Sequence, residues 1–330
     1  MRASGRTGQR GVAIVSALLV AALITVLTIQ WFAAQAAQAQ AVETQRAAVQ
    51  ARWLVVAATD WALMLLREDS NSITDSLQEV WATPLARTRI TDASGKLEAF
   101  VSGRIEDAQG RFNLADLVKG GAINDEAVAG LQRLMVAARL DASKAERIAE
   151  AMLQVTPSPP APPQREGGGP QGGKDLTQSV APPAPRIKNV LDLVGKNELT
   201  EADLIGLEPF VVVVPKSAAL AKKRTPINVN TASAPAIASA SEELARIAEA
   251  VVARRERISR FKDLGDLTNN FSALIAIPAD ELRKLIDVRS EYFIATGRIE
   301  LGRVDMTRQA LIERQPEGTR LAKVVWAREL

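Results

Sequence analysis

GVAIVSALLVAALITVLTIQWF, residues 11–32, is the stretch around which the rest of the chain has to be arranged. No charged residue occurs from Gly11 through Val42. About 20 apolar residues at 1.5 Å rise cover the hydrocarbon of a bilayer, so the stretch predicts a helix able to cross one. Arg2, Arg6 and Arg10 precede it, and basic residues before an apolar span stay in the cytoplasm. Trp31 and Phe32 then fall near the outer interface, with the bulk of the chain beyond it. The run is longer than the core of an ordinary secretory signal, about 7–15 residues. Gly11 stands directly between the basic leader and the apolar run, where a cut would leave the span intact.

The helix is predicted to continue, because Glu43 to Leu66 holds neither proline nor glycine. Val49, Trp53, Val56, Leu63 and Met64 recur at helical spacing and are the candidate subunit-packing residues. Leu54, Trp61 and Leu65 form a second apolar line, broad enough to lie on a sheet. Asp60, among them, is expected to be a partly exposed carboxylate.

Further on the period changes. Leu97, Ala99, Val101, Gly103 and Ile105 alternate with polar residues, as in a half-buried strand, and DAQG (107–110) signals a turn. Tyr292 to Leu301, Val304 to Arg314 and Leu321 to Glu329 are three more strand-like runs, separated by Gly302 and by the turn at Pro316 to Gly318. Between the first strand and these three the texture is helical: Asn124 to Met152, Glu201 to Leu207, Glu242 to Arg257 and Ala279 to Arg289. The predicted class is α+β, a long N-terminal helix packed on an antiparallel sheet, with a large all-helical domain inserted between strands. RFNLADL and NVLDLVG bracket the first half of the insert as INVNTAS and FKDLGDL bracket the second, which suggests two related subdomains. Residues 156–185, containing PSPPAPP, GGGPQGG and APPAP, are expected to be a surface loop.

Composition narrows the chemistry. The 330 residues include no cysteine, no histidine and one tyrosine. Thiolate, imidazole and zinc-type sites are therefore excluded, and no G-x-S-x-G elbow occurs. The net charge of +3 equals the three leader arginines, so the remainder is neutral and lacks the global field of a nucleic-acid binder.

The basic leader ending in Gly11, the apolar stem and the sheet with its inserted helices resemble the K class of minor pseudopilins of bacterial type II secretion systems. The resemblance implies a prepilin leader (1–11) cleaved after Gly11, so that the mature chain starts at a methylated Val12. It implies a transmembrane and filament helix (12–34), its periplasmic half (35–68), the first part of a pilin-like domain (69–114), an inserted helical domain (115–289) and terminal strands (290–330). Most pilin-like chains carry glutamate at mature position five; here that position is Ser16, a departure characteristic of the K class. The implied role is nonenzymatic: a pseudopilus tip subunit in the inner membrane that primes assembly and limits growth. The implied partners are minor pseudopilins of the I and J classes, then the H class, the major pseudopilin, the prepilin peptidase and the inner-membrane assembly platform.

One motif invites another reading. INVNTAS (227–233), LARIAEAVVARR (244–255) and FKDLGDL (261–267) resemble the helix-hairpin-helix module of competence-type DNA receptors. A DNA-binding hairpin needs glycines so that backbone N–H groups can reach a phosphate, and no glycine occurs from Ala232 to Arg260. Arg254, Arg255, Arg257 and Arg260 are interspersed with Glu242, Glu243, Glu249 and Glu256, the pattern of a solvated ion-paired face. No nucleic-acid partner is expected, and a membrane-tethered DNA receptor is the alternative reading. Some K-class proteins bind calcium through closely spaced acids. Here the comparable loop has only Glu166 and Asp175, while Asp263, Asp266, Asn269 and Asn270 read as caps and turns. No cofactor or metal is expected.

Overall fold

A computed structural model describes residues 8–69, 73–91, 95, 98–157, 186–215, 224–314 and 322–330. The leader's residues 1–7 and most of the expected 156–185 loop, from 158 onward, lie outside the described residues.

The chain opens with α1 (Gly8–Glu68), 61 residues long, or about 90 Å at 1.5 Å per residue. β1 (Leu85–Thr91) and β2 (Glu98–Asp107) follow. The insert then runs through β3 (Phe112–Asn113), β4 (Val118–Lys119), β5 (Ala122–Ile123), α2 (Asp125–Ala137), α3 (Ala145–Val155), α4 (Glu201–Leu204) and β6 (Val211–Val212). It continues through β7 (Ile227–Asn228), α5 (Ala234–Ala238), α6 (Glu242–Ile258), α7 (Leu264–Asn270), α8 (Ala279–Leu285) and β8 (Ile286–Asp287). β9 (Tyr292–Leu301), β10 (Val304–Arg314) and β11 (Ala322–Glu329) close the chain.

The sheet has the order β1-β2-β9-β10-β11 and every pairing in it is antiparallel. Its first strand, β1, is absent from the sequence reading. LARTRIT is too polar to show an alternation, because the strand lies at the sheet edge. Its Arg87 guanidinium sits 3.3 Å over the Phe100 ring instead of pointing into a core.

One face of the sheet carries α1. Ala51 and Val55 pack with Ala99, Ile299 and Leu301 near one end, and Ala62 and Leu66 pack with Ile105, Phe293 and Ile312 at the other. The line that faces the sheet is therefore Ala51, Val55, Thr59, Ala62 and Leu66, narrower and smaller than either apolar line in the sequence. Small residues let the helix approach the strands closely. The opposite face is capped at the distal end only, where Val212 and Val214 of the insert bury Tyr292, Ile294 and Leu311.

The insert is not wholly helical. It consists of two units with separate cores, one around Phe112, Leu131, Ile148 and Leu193, the other around Val229, Leu244, Phe261 and Leu282. Each unit is closed by a two-residue parallel ladder, β3 with β6 and β7 with β8. Their first strands carry the same turn: Asn113 Oδ1 accepts from the Ala115 N–H at 3.1 Å, and Asn228 Oδ1 from the Asn230 N–H at 2.9 Å. RIKNVLDL (186–193) and RFKDLGDL (260–267) fold alike as well, with Asp192 accepting from the Lys188 N–H and Asp266 from the Lys262 N–H, at 2.8 and 3.1 Å. AERIAEA (145–151) and LARIAEA (244–250) occupy equivalent places in α3 and α6.

Two boundaries move. The strand ends at Asp107, and Phe112 and Leu114 already belong to the first helical core. The insert thus begins near residue 108, earlier than the expected 115. The periodic stretch Asn124 to Met152 is two helices, because Arg139 turns to φ 59° and the Leu140 N–H bonds back to the Met135 carbonyl at 2.7 Å, a left-handed helix stop.

Candidate assembly surface and the joint of the insert

Every described side chain from Ile14 to Arg46 is exposed. An 18-residue window of this helix has a mean hydropathy of 2.2, long and apolar enough to cross a membrane. Its hydroxyls return to the helix's own backbone: Ser16 donates to the Val12 carbonyl at 2.9 Å, Thr25 to Ala21 at 2.8 Å and Thr28 to Ile24 at 2.7 Å. That satisfies each polar group without outside help. Gly11 lies within the helical run, so the Gly11–Val12 bond is part of α1.

In the distal half of α1, the expected packing residues divide. Val49, Trp53 and Met64 are exposed, at 59%, 72% and 46%. Val56 and Leu63 are half-buried, and Leu63 contributes to the core between α1 and the sheet. Trp61 joins the exposed set, and Asp60 is exposed beside it. The outward surface is therefore a band of large apolar residues on the side of α1 away from its own sheet.

At the other end of the sheet a buried polar joint holds the insert. The NVNTA sequence, singled out for its likeness to a DNA-binding module, lies here. Asp107, the last residue of β2, accepts from the Asn228 amide at 2.9 Å, the Thr231 hydroxyl at 2.5 Å, the Ser290 hydroxyl at 2.6 Å and the Gln109 N–H at 2.7 Å. Burial pushes its carboxyl above the ordinary value, and these donors act against that rise. Asn228 also donates to the Asp75 carbonyl at 3.1 Å, while the Ser290 N–H donates to the Asp75 carboxylate at 2.7 Å. Arg314 of β10 donates to both oxygens of Asp75, at 2.5 and 2.6 Å, and to Asp69 at 2.9 Å. Gly110 is needed at the crossing, because a Cβ there would lie 2.9 Å from the Thr231 hydroxyl.

Of the arginines set against the DNA reading, Arg254, Arg257 and Arg260 are exposed, as on a solvated face, and Arg255 is the exception. Arg255 is buried, and its Nη1 donates to the Val229 and Ala232 carbonyls at 2.9 and 2.7 Å, closing the NVNTA turn. Burial lowers its pKa from the usual arginine value. Arg254 donates to Asn270 at 2.8 Å. The module is a packing element and keeps one of its guanidinium groups inside.

The acids suggested as caps act as caps. Asp263 accepts from the Asp266 N–H at 2.7 Å, and Asn270 donates to the Asp266 carbonyl at 2.7 Å. Ser259 and Lys262 have an S-x-x-K spacing, but both are exposed where α6 ends. Asp69, Asp75 and Glu79 bring carboxylate oxygens within 4.8 Å of one another, a grouping that no local spacing reveals, and the Arg314 guanidinium is bound to two of the three.

Known proteins align with this arrangement. Family models described as type II secretion system (T2SS), protein K, match residues 110–216 and 227–289, together just over half of the chain. The two matches divide at the boundary between the helical units. A type II secretion system protein K of Pseudomonas aeruginosa is 29% identical over 281 residues, which is 82% of this chain and 79% of that protein. A chain in the crystal structure of the GspK-GspI-GspJ complex from the enterotoxigenic Escherichia coli type 2 secretion system superposes with a TM-score of 0.60 at 20% identity, covering 87% of this chain and 98% of that one. By its two matched units, its relative and its fold, the chain belongs to the protein K family of the type II secretion system.

Proposed function

We propose that the chain is a minor pseudopilin that ends the pseudopilus of a type II secretion system and has no catalytic role. The observation that carries this reading is the position of the insert. Its two units rise from the end of the sheet where Asp107 and Ser290 lie, beside Leu66 and remote from the exposed stem. A subunit stacked above would meet that bulk, while the stem below stays free to pack. Ser16, whose hydroxyl returns to Val12, brings no carboxylate to a neighbour's amine.

On this reading the stem crosses the inner membrane with its N-terminus in the cytoplasm, and a prepilin peptidase cuts after Gly11 and methylates Val12. The band of Val49, Trp53, Trp61 and Met64 packs on the helices of minor pseudopilins of the I and J classes, the names borne by the partners in the similar Escherichia coli complex. Mass spectrometry of the N-terminus tests the class: a methylated Val12 in cells with the peptidase and an intact leader without it is the expected result. A chain still starting at Met1 in both overturns the reading. Copurification with the I and J proteins, lost when Trp53 and Met64 are changed to Glu, tests the surface.

A further inference from the structure

The two flanks of α1 differ where the helix lies on its sheet. α1 runs over β9 and β10 toward β11, which leaves the same face of β1 and β2 beside the helix rather than beneath it. On the β11 side polar groups close the seam. Arg52 pairs with Glu329 at 3.0 Å, Arg308 approaches Glu329 at 3.9 Å, and Arg67 donates to the Ala322 carbonyl at 2.8 Å. On the β2 side Leu54, Ala58, Trp61 and Leu65 follow one another at helical spacing, and an open groove runs between the last three and the strands. Trp81, Leu85, Val101 and Gly103 line it on the side away from the helix. Trp81 is buried edge-on against Phe293, with ring centroids 5.1 Å apart, while Trp61 is exposed and Leu85 and Val101 are half-buried. Among the described residues that line the groove none is acidic, and its arginine, Arg104, is paired with Glu106 at 3.1 Å.

We propose that this groove seats the helix of one neighbouring minor pseudopilin, which lies along the Leu54–Leu65 side of α1 and inserts apolar side chains between Trp61 and Trp81. The side assigned to the neighbour rests on the chain being a minor pseudopilin. The occupant follows from continuity and from chemistry. Val49, Trp53 and Trp61 carry an exposed apolar surface from the stem up to the groove, and every described side chain of the stem from Ile14 to Arg46 is itself exposed. A stem that leaves the lipid for a filament has to be covered by another stem, and a helix laid along it on this side runs into the groove. A lining without an unpaired charge suits an apolar helix and penalises a charged peptide. The β11 flank is the poorer seat, because a helix there would strip water from the Arg52–Glu329 pair at a cost in desolvation.

The chain contains no cysteine, so an introduced cysteine reports one position. The full chain, coexpressed with the I and J proteins and purified in detergent, is labelled with benzophenone maleimide at Leu85→Cys in the groove or at Val324→Cys on the other flank, where Val324 pairs with Ile312. Irradiation of the Leu85→Cys complex is expected to give an adduct whose cross-linked peptide lies in the helix of the I or the J protein, and the adduct is expected to be lost with Val324→Cys. Leu85→Glu is expected to weaken retention of that partner at least about tenfold, with exchange protection of β9 and β10 unchanged. Should Leu85→Glu lose that protection, the cross-link decides. An adduct from Val324→Cys in place of Leu85→Cys, an adduct with a second copy of this chain, a label consumed by detergent alone, or full retention of the partner by a folded Leu85→Glu would each overturn the seat and leave the minor-pseudopilin reading intact. Failure of the unaltered chain to copurify with either protein would overturn both.

Discussion

Ala58 and Gly297 meet across the seam between α1 and the sheet, where a Cβ built on Gly297 would lie 3.2 Å from that of Ala58. The cross-strand neighbour of Gly297 is Gly103, and a Cβ there would approach the Thr296 carbonyl to 2.9 Å. The helix is thus seated directly on Gly297, while Gly103 lets β2 lie close to β9 beside it. Val at Gly297 must lift α1 or push Ala58 aside, and overpacking of this kind costs about 1–3 kcal/mol. Urea unfolding of the full chain in detergent is expected to show this loss, and Ala58→Gly is expected to recover part of it in the double mutant. Additive effects would mean that the seam has room to spare.

Arg255 fixes the turn that the second unit needs. Removing it by Arg255→Ala leaves the buried Val229 and Ala232 carbonyls without their donor. A hydrogen bond to a charged group contributes about 1.5–3 kcal/mol, and two acceptors are stranded at once. A loss of about 3 kcal/mol in stability is expected for Arg255→Ala, against less than about 0.5 kcal/mol for Arg254→Ala on the surface. Equal effects at the two positions would refute the packing role of Arg255.

How much of this could be read from the chain alone depends on the range of each interaction. The stem, β2 and the three terminal strands follow from local periodicity, since an apolar run or an alternation needs no knowledge of partners. The glycine-free stretch from Ala232 to Arg260 was enough to set aside the DNA-binding reading. What was hidden depends on contacts far apart in sequence. Arg255 looks like its neighbours Arg254 and Arg257 until the turn at Val229 folds against it. Asp75 and Asp107 have no visible relation to Arg314 before the sheet forms. The inward line Ala51, Val55, Thr59, Ala62 and Leu66 was masked by larger residues on the outside of the same helix.

Lys144 and Asp203 tie the start of α3 to α4 in the first helical unit. The lysine's contact, with the Thr200 hydroxyl and N–H, holds the Asp203 carboxyl below its usual range. A depressed carboxyl contributes stability above the unfolded value of about 4 and loses it as pH falls through the folded pKa. Peptides covering 199–207 are therefore expected to lose exchange protection on acidification below about pH 4, with neutral pH unaffected. Asp203→Asn is expected to flatten that acid response, as is Lys144→Met. An unchanged acid response in both variants would place its origin elsewhere.

The insert should be separable from the sheet, because the points where it leaves and returns are neighbours. Asp107 pairs with Phe293 in the β2–β9 ladder, so the two strands form an antiparallel hairpin with the whole insert as its connection. Replacing residues 108–292 by Asn-Gly, the pair best suited to a two-residue hairpin, leaves every β2–β9 pairing available. It also uncovers Ile294 and Leu311, which the insert's Val212 and Val214 had helped to bury, and changing these two to Thr removes the apolar patch. The shortened chain is expected to insert in the membrane and to keep exchange protection in β2, β9 and β10. Secretion should nevertheless fail or pseudopili lose length control, since the bulk that ends the filament is gone. Normal secretion by a shortened chain with an intact sheet would separate the insert from the capping role.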